Sequence, residues 1–132
     1  MPSNVFGAKL TNKAGTGPAP QVYTATVIAK NGDLTAAAIA GGVCRVVTAG
    51  AGSSTNPTVS AAAIITALKL NQGDTFQFTC VPNDVSNTIT VTDGGTGVTL
   101  AAGQLNVTVA GTSITYSGLV TGAATITLSR IA

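Results

Sequence analysis

The feature that most constrains this chain is a strict two-residue alternation in the middle of the sequence. Phe76, Phe78 and Cys80 alternate with threonine and glutamine, and Ile89 and Val91 resume the pattern after a turn segment. A period of two directs successive side chains to opposite faces of a β-strand, so that one face is apolar and the other polar. These five side chains are therefore the predicted core.

Turn-forming residues separate these strands. The segment PNDVSN contains a proline, which cannot donate to a β-ladder, and Asn and Asp side chains, which bond their own backbone. A second turn, DGGTG, precedes the short apolar run Val98 to Leu100. The succession of strand, turn, strand, turn and strand predicts a β-meander over residues 71–100.

Alternating segments also flank the meander. They predict strands at residues 22–30 and 43–48 before it, and at 105–109, 114–116 and 124–131 after it. Turn signals recur about every 8–12 residues, which is typical of sandwiches and barrels. The predicted fold class is therefore all-β: an antiparallel β-sandwich or jelly-roll-like barrel.

Two of these strands have an apolar row on one face. The side chains concerned are Tyr23, Ala25, Val27 and Ala29 in the first strand, and Leu105, Val107 and Val109 in the strand after the meander. Between the strands, AGAGSSTNP at residues 49–57 predicts an exposed loop, and residues 118–122 predict a turn.

One short helix is expected at residues 60–68. Ile64 and Leu68 are four apart on one face, with Ala61 beneath them, and alanine favours helix. The run LTAAAIA at residues 34–40 is compatible with a further helical turn, with Thr35 as its cap and a glycine as its stop.

The first 21 residues differ from the remainder. The glycines and prolines of GTGPAP cannot sustain a helix or a central strand, which predicts an extended N-terminal arm at 1–21 and a single β domain at 22–132. The apolar runs fall short of the ~20 residues of a membrane helix, so we expect no membrane partner. Residues 1–13 lack the apolar region of a signal peptide.

Charge is unusually scarce. Charged residues make up 8% of the chain, about a third of the ~25% typical of soluble domains. The six Lys and Arg residues are scattered, so no nucleic-acid partner is expected. A surface this poor in charge is covered either by uncharged polar side chains or by other protein, which points to an oligomer or an assembly component.

The residues needed for catalysis are few. The chain has no His and no Glu, and its four carboxylates, Asp33, Asp74, Asp84 and Asp93, occur in turn sequences. We therefore predict that it is not an enzyme, and we assign no catalytic, cofactor-binding or metal-binding residues and no cofactor. A glycosidase-like pair of these Asp residues, or a Ca²⁺ site at Asp84 and Asp93, remains the less favoured alternative.

Three further motifs are weak. Residues 50–55 are glycine-rich but lack the lysine of a phosphate-binding loop, and residues 94–97 lack the spacing of a dinucleotide fingerprint. Asn106 begins a glycosylation acceptor sequence, but it lies in a predicted strand. Cys44 and Cys80 lie in apolar runs, which favours buried free thiols and leaves a disulfide as the alternative.

The chain resembles small virion structural proteins of tailed bacteriophages and some large DNA viruses. The resemblance runs from residue 34 to the C-terminus and lies in these segments: LTAAAIAGGV, NPTVSAAAIITAL, QGDTFQF, TITVTDGGTGVTL and TGAATITLSRIA. That group looks like capsid decoration (cement) proteins and head-fibre bases.

The resemblance implies a structural role rather than a chemical one. It implies an all-β homotrimer that binds the major capsid protein on the outer surface of the virion, after synthesis in the host cytoplasm. The arm at 1–21 and the loop at 49–57 are then expected to make contacts. The alternative is a carbohydrate-binding or adhesin-like module of a phage tail fibre or a cell surface.

Overall fold

The computed structural model describes residues 23–132, together with the backbone of two short strands before them. The strands are β1 (Asn12–Lys13), β2 (Gly17–Pro18), β3 (Thr24–Ile28), β4 (Gly42–Val46), β5 (Ser54–Pro57), β6 (Thr75–Pro82), β7 (Ile89–Thr92), β8 (Val98–Leu100), β9 (Ile114–Gly122) and β10 (Thr125–Arg130). The helices are α1 (Ala36–Gly41) and α2 (Ala61–Leu68). The described part of the chain is predominantly β, as predicted.

The main sheet has six strands in the order β3-β4-β6-β9-β10-β8. The first three strands are parallel to one another, β9 runs antiparallel to both β6 and β10, and β8 is parallel to β10. A smaller parallel sheet is formed by β5 and β7. The β1–β2 ladder is antiparallel and pairs only two residues on each strand.

Both helices begin at side chains that cap them. The Thr35 hydroxyl accepts a hydrogen bond from the Ala38 N–H at 3.1 Å, and the Ser60 hydroxyl accepts one from the Ala63 N–H at 3.2 Å. Gly42 ends α1 in the left-handed region, where glycine costs least. The predicted helix at 60–68 is confirmed, and the helical turn near 34–40 is a second helix.

The core lies between one face of the main sheet and a layer made of α1, α2 and the β5–β7 sheet. All five side chains predicted for the core are buried there. The rings of Phe76 and Phe78 stack at 6.3 Å between centroids, and Phe78 stacks on Tyr116 at 5.6 Å. The predicted face of α2, namely Ala61, Ile64 and Leu68, is buried against the same cluster.

The predicted meander is wrong in its pairing. Its three strands exist, as β6, β7 and β8, but each one pairs elsewhere: β6 with β4 and β9, β7 with β5, and β8 with β10. Alternation specifies which face of a strand is buried but does not specify its neighbour.

The predicted antiparallel sandwich or jelly-roll-like barrel is not confirmed, because several strand pairs are parallel. The connection from β3 to β4 contains α1, and the connection from β4 to β6 contains β5 and α2. Parallel neighbours need such long crossovers, which usually contain a helix. The resulting main sheet is mixed.

Two predicted irregular segments are partly strand. The expected loop at 49–57 contains β5, in which Ser54 and Asn56 are buried and bonded to each other at 2.8 Å. The expected turn at 118–122 belongs to β9, and the ring of Phe76 lies where a side chain at Gly118 would be.

The apolar row predicted for the first strand faces outward. Tyr23, Ala25 and Val27 are exposed, and Ile28 is the buried residue of β3. Residues that are paired in a ladder lie on the same face of the sheet, and Val27 pairs with Arg45, which also faces outward. Most of the predicted arm at 1–21 lies outside the described residues.

Candidate functional site

The carboxylate of Asp84 is bonded within the turn that follows β6. Its Oδ1 accepts hydrogen bonds from the Thr48 hydroxyl at 3.0 Å and from the N–H groups of Ser86 and Asn87. Its Oδ2 accepts from the Asn87 amide at 2.6 Å. Desolvation raises the pKa of Asp84, but these hydrogen bonds outweigh that effect and the pKa is lowered from its ordinary value. Asp84 therefore stabilises a turn as an ionised acceptor.

The lone pairs that Asp84 would offer to Ca²⁺ are thus used by protein donors. Asp74 also closes a turn, because its Oδ2 accepts from the Asn71 N–H at 2.8 Å. Within the described residues, no three His, Cys, Asp or Glu side chains are grouped so that they could hold a metal ion.

Cys44 and Cys80 are directly paired across β4 and β6, and both are free and fully buried. The pKa of the Cys80 thiol is raised well above its ordinary value by its hydrogen bond with Cys44, by burial and by the charge interaction with Cys44. A nucleophilic cysteine needs the thiolate and access to solvent. This pair has the environment of inert core thiols.

The glycine-rich segment at 50–55 is tied to its neighbours. The Ser53 hydroxyl accepts from the Thr88 N–H at 3.1 Å, and the Ser54 hydroxyl accepts from the Asn31 N–H at 2.8 Å. The Lys30 ammonium group donates to the Ala51 carbonyl. These bonds connect two loops, which is a structural use of the segment.

The glycine-rich turn at 93–97 packs tightly against the start of α2. The Thr96 carbonyl accepts from the first helical N–H, that of Ala61, at 2.9 Å. A Cβ added at Gly95 would lie 2.1 Å from the Val59 carbonyl oxygen. The glycine there permits a close backbone approach, so the turn does more than reverse the chain.

Asn106 is held inside the fold. Its Oδ1 accepts from the Tyr116 hydroxyl at 2.7 Å, and its carbonyl accepts from the Val91 N–H at 2.9 Å. Burial raises the pKa of the Tyr116 hydroxyl, so this group stays protonated and acts as a donor. The acceptor sequence that begins at Asn106 is therefore part of a structural network.

Two surfaces of the described residues are poor in charged side chains. The first is the outer face of the main sheet, the face away from the core. Across the strands it presents these registered rows: Ala25, Val43, Thr79 and Thr115; Val27, Arg45 and Val81; Gln77, Ser117 and Ser129; and Thr75, Leu119, Thr127 and Thr99. Arg45 is the one formal charge in these rows.

The second surface is the 105–109 row, which consists of Leu105, Val107 and Val109. The sequence predicts a strand here, but the structure forms only an isolated bridge between Val107 and Thr90, and these side chains are 76%, 40% and 74% exposed. The intervening polar residues face inward instead, because Thr108 and Asn106 form hydrogen bonds to Ile89 and Tyr116.

The outer face could have been anticipated from the polar half of the alternation, since Thr, Ser and Gln occupy most of the alternate positions of β6, β9 and β10. The 105–109 row could not, because its orientation depends on partners far away in the sequence. The carboxylates of Asp74 and Asp84, in contrast, each accept hydrogen bonds within their own turn.

Comparisons with protein-family models, with curated proteins and with solved structures found no match for this chain. Among the helices of the described residues, none has the length and hydropathy required to cross a membrane.

Proposed function

We propose that the chain is a capsid decoration (cement) protein, a virion structural protein that stabilises the head shell. Its partners are the major capsid protein and two further copies of itself in a homotrimer. It acts on the outer surface of the capsid after synthesis in the host cytoplasm, and it catalyses no reaction. The resemblance described above supplies the identity of the partner.

The observation that carries the proposal is the outer face of the main sheet. The face spans six strands, and its rows contain one charged residue, Arg45. The hydroxyls of Thr79 and Thr115 bond each other across β6 and β9 at 2.9 Å, so part of its polarity is satisfied within the sheet. A broad surface with little charge is suited to extended docking on another protein.

The environment of the polar residues supports a role without chemistry. Asp84 accepts hydrogen bonds within its own turn, and the two thiols are buried. A protein that stiffens a shell needs a rigid sheet and an interface, and neither requires a perturbed nucleophile or a general base.

The test is binding to empty capsids. Purified protein should cosediment with shells of the particle that contains it, at a copy number comparable with that of the major capsid protein. The variant Val27→Asp with Leu119→Asp introduces two charges at exposed positions of the outer face and should lose this binding. Wild-type protein that stays in the supernatant at every shell concentration would disprove the proposal.

The alternative function is a carbohydrate-binding or adhesin-like module. The same face favours it in one respect, because its rows of Thr, Ser and Gln side chains can bond sugar hydroxyls. A glycan array would distinguish the two: selective binding to one glycan class, lost in Thr127→Val, would favour the module over the cement protein.

A further inference from the structure

The turn that follows β3 is attached to β5 by a chain of hydrogen bonds. The Asn31 N–H donates to the Ser54 hydroxyl at 2.8 Å, and that hydroxyl donates to the Asn56 side-chain oxygen at 2.8 Å. The Asn56 side-chain nitrogen then donates to the Gly32 carbonyl at 2.8 Å. Ser54 and Asn56 are 2% and 0% exposed. Two buried polar side chains therefore hold the Asn31–Gly32 dipeptide in place.

The dipeptide that is held in this way is chemically reactive. Asn31 is the only asparagine in the sequence that precedes a glycine, and its side chain is exposed. The backbone nitrogen of the residue after an asparagine can attack the side-chain carbonyl carbon Cγ and close a cyclic succinimide. Glycine favours this attack, because it has no Cβ to crowd the nitrogen and because it leaves the backbone free to adopt the required conformation.

The native contacts oppose this ring closure. The nitrogen that would attack, that of Gly32, donates its hydrogen to the Ala29 carbonyl at 2.8 Å. The group under attack is held as well, because Oδ1 of Asn31 accepts from the Thr55 N–H at 2.9 Å. Closing the ring requires rotation of the Asn31 side chain and of the peptide plane that follows it, and both hydrogen bonds would break. The turn must therefore leave β5 before the reaction can start.

We propose that Asn31 is a latent deamidation site, and that Ser54 and Asn56 form a clamp that suppresses the reaction in the folded chain. In the reaction the Gly32 nitrogen bonds to Cγ of Asn31, and the bond from Cγ to Nδ2 breaks. Nδ2 takes up the proton that the Gly32 nitrogen loses and leaves as ammonia. Water then opens the ring at either carbonyl and produces aspartate or isoaspartate, so solvent water is the only co-reactant.

The products would make opening of the turn permanent. Isoaspartate places an additional methylene group in the main chain before Gly32, which displaces Gly32 from the Ala29 carbonyl and the Asn56 amide. Either product also adds a carboxylate to a turn that already contains the exposed Asp33. The clamp thus prevents a one-way reaction from following the reversible local opening that loops undergo.

The test is peptide mass spectrometry of residue 31 after incubation of the full chain at mildly alkaline pH. We expect Asn31 to deamidate at least about 10-fold more slowly in native buffer than in urea, because the reactive turn is populated only when it opens. Ser54→Ala removes the hydroxyl that joins Asn31 to Asn56 and should accelerate the native reaction about 5-fold, the effect of losing one hydrogen bond. In urea its rate should equal that of wild type.

The matched control is Ser53→Ala. The Ser53 hydroxyl accepts from the N–H and the hydroxyl of Thr88, so its removal should leave the native rate at Asn31 unchanged. Both serine variants are compared well below their melting temperatures, measured by circular dichroism, so that global unfolding contributes little. Gly32→Ala should slow the reaction in urea at least about 5-fold, because its Cβ crowds the attacking nitrogen. That measurement needs no folded protein.

Equal rates for wild type in native buffer and in urea would overturn the clamp. A native rate in Ser54→Ala that matches wild type or Ser53→Ala would do the same. No deamidation of Asn31 in urea, or an unchanged rate in Gly32→Ala, would overturn the site itself. These outcomes do not involve capsid binding, so the inference is tested separately from the proposed function.

Discussion

The ring of Phe76 lies directly over Gly118 on the neighbouring strand, where an added Cβ would come within 2.2 Å of the ring carbon Cζ. Because Gly118 has no side chain, the Phe76 ring can lie over it and still stack on Phe78. We expect Gly118→Ala to lower the free energy of unfolding by about 1–3 kcal/mol through overpacking. Urea unfolding measures this free energy. The control is Ser117→Ala, on the opposite face of β9, which should change the free energy of unfolding by about 0.5 kcal/mol or less. If the two variants lowered the free energy of unfolding equally, the close contact between Phe76 and Gly118 would be contradicted.

Replacing a glycine can lower stability for two reasons, overlap with neighbouring atoms and a left-handed backbone conformation. Gly95 and Gly103 allow the two effects to be measured separately. At Gly95 a Cβ would meet the Val59 carbonyl carbon at 2.2 Å, whereas at Gly103 it would meet nothing within 4 Å, but φ is +78°. We expect Gly95→Ala to cost about 3 kcal/mol from backbone overlap. Gly103→Ala should cost about 1–2 kcal/mol from the left-handed conformation alone. Thermal and urea unfolding would show the order, and a reversed order would contradict the packing of the 93–97 turn.

Asp84 should contribute to stability in a pH-dependent way. Its pKa is lower in the folded chain than in the unfolded chain, so its stabilising contribution is present above the unfolded value of about 4 and is lost as pH falls through the folded value. Asp84→Asn should flatten the acid limb of the stability curve measured by urea unfolding. Thr48→Val, which removes one donor to this carboxylate, should flatten it in part. An unchanged acid limb in Asp84→Asn would contradict the hydrogen-bonded turn.

Cys44 and Cys80 should resist thiol reagents in the native protein. Both side chains are fully buried, and the raised pKa of Cys80 disfavours its thiolate. We expect labelling by a chromogenic disulfide to follow global unfolding, so that it accelerates only in denaturant. Rapid labelling of either thiol in native buffer would indicate that β4 and β6 separate locally.

Arg130 should stabilise the segment at residues 105–107, whose carbonyls it binds. Arg130→Lys retains the charge but removes the guanidinium nitrogen Nη1, which donates to the carbonyls of Leu105 and Val107. We expect the free energy of unfolding to fall by about 1 kcal/mol. Urea unfolding measures this loss. Arg45→Lys, at an exposed position of the outer face, is the control for this measurement. Identical behaviour of the two variants would contradict this role.

Local sequence signals predicted most elements of the fold. Residues such as Thr35 and Ser60 have side chains that cap a helix through hydrogen bonds three residues away, so their effect is readable from the sequence. Phe76 and Phe78 are equally readable, because alternation within one strand separates a buried face from an open one. These features depend on neighbours in the chain.

Other features depend on contacts between residues that are far apart in the sequence, and local patterns could not predict them. The pairing of β8 with β10, the outward direction of Val27 and the exposure of the 105–109 row all depend on contacts across many residues. Asn106 and Thr108 face inward only because Tyr116 and Ile89 accept or donate hydrogen bonds there. Alternation alone predicted a regular strand there, whereas the structure forms only an isolated bridge at Val107.

The position of β6 between β4 and β9 has a consequence for how the chain reaches its native state. β6 joins a parallel part of the sheet, formed by earlier strands, to a part formed entirely by later ones. Neither part can enclose the Phe76 and Phe78 rings without the other, so we expect a single cooperative transition without a stable half-folded form. Because most of these pairings close long loops, refolding should take milliseconds to seconds rather than microseconds.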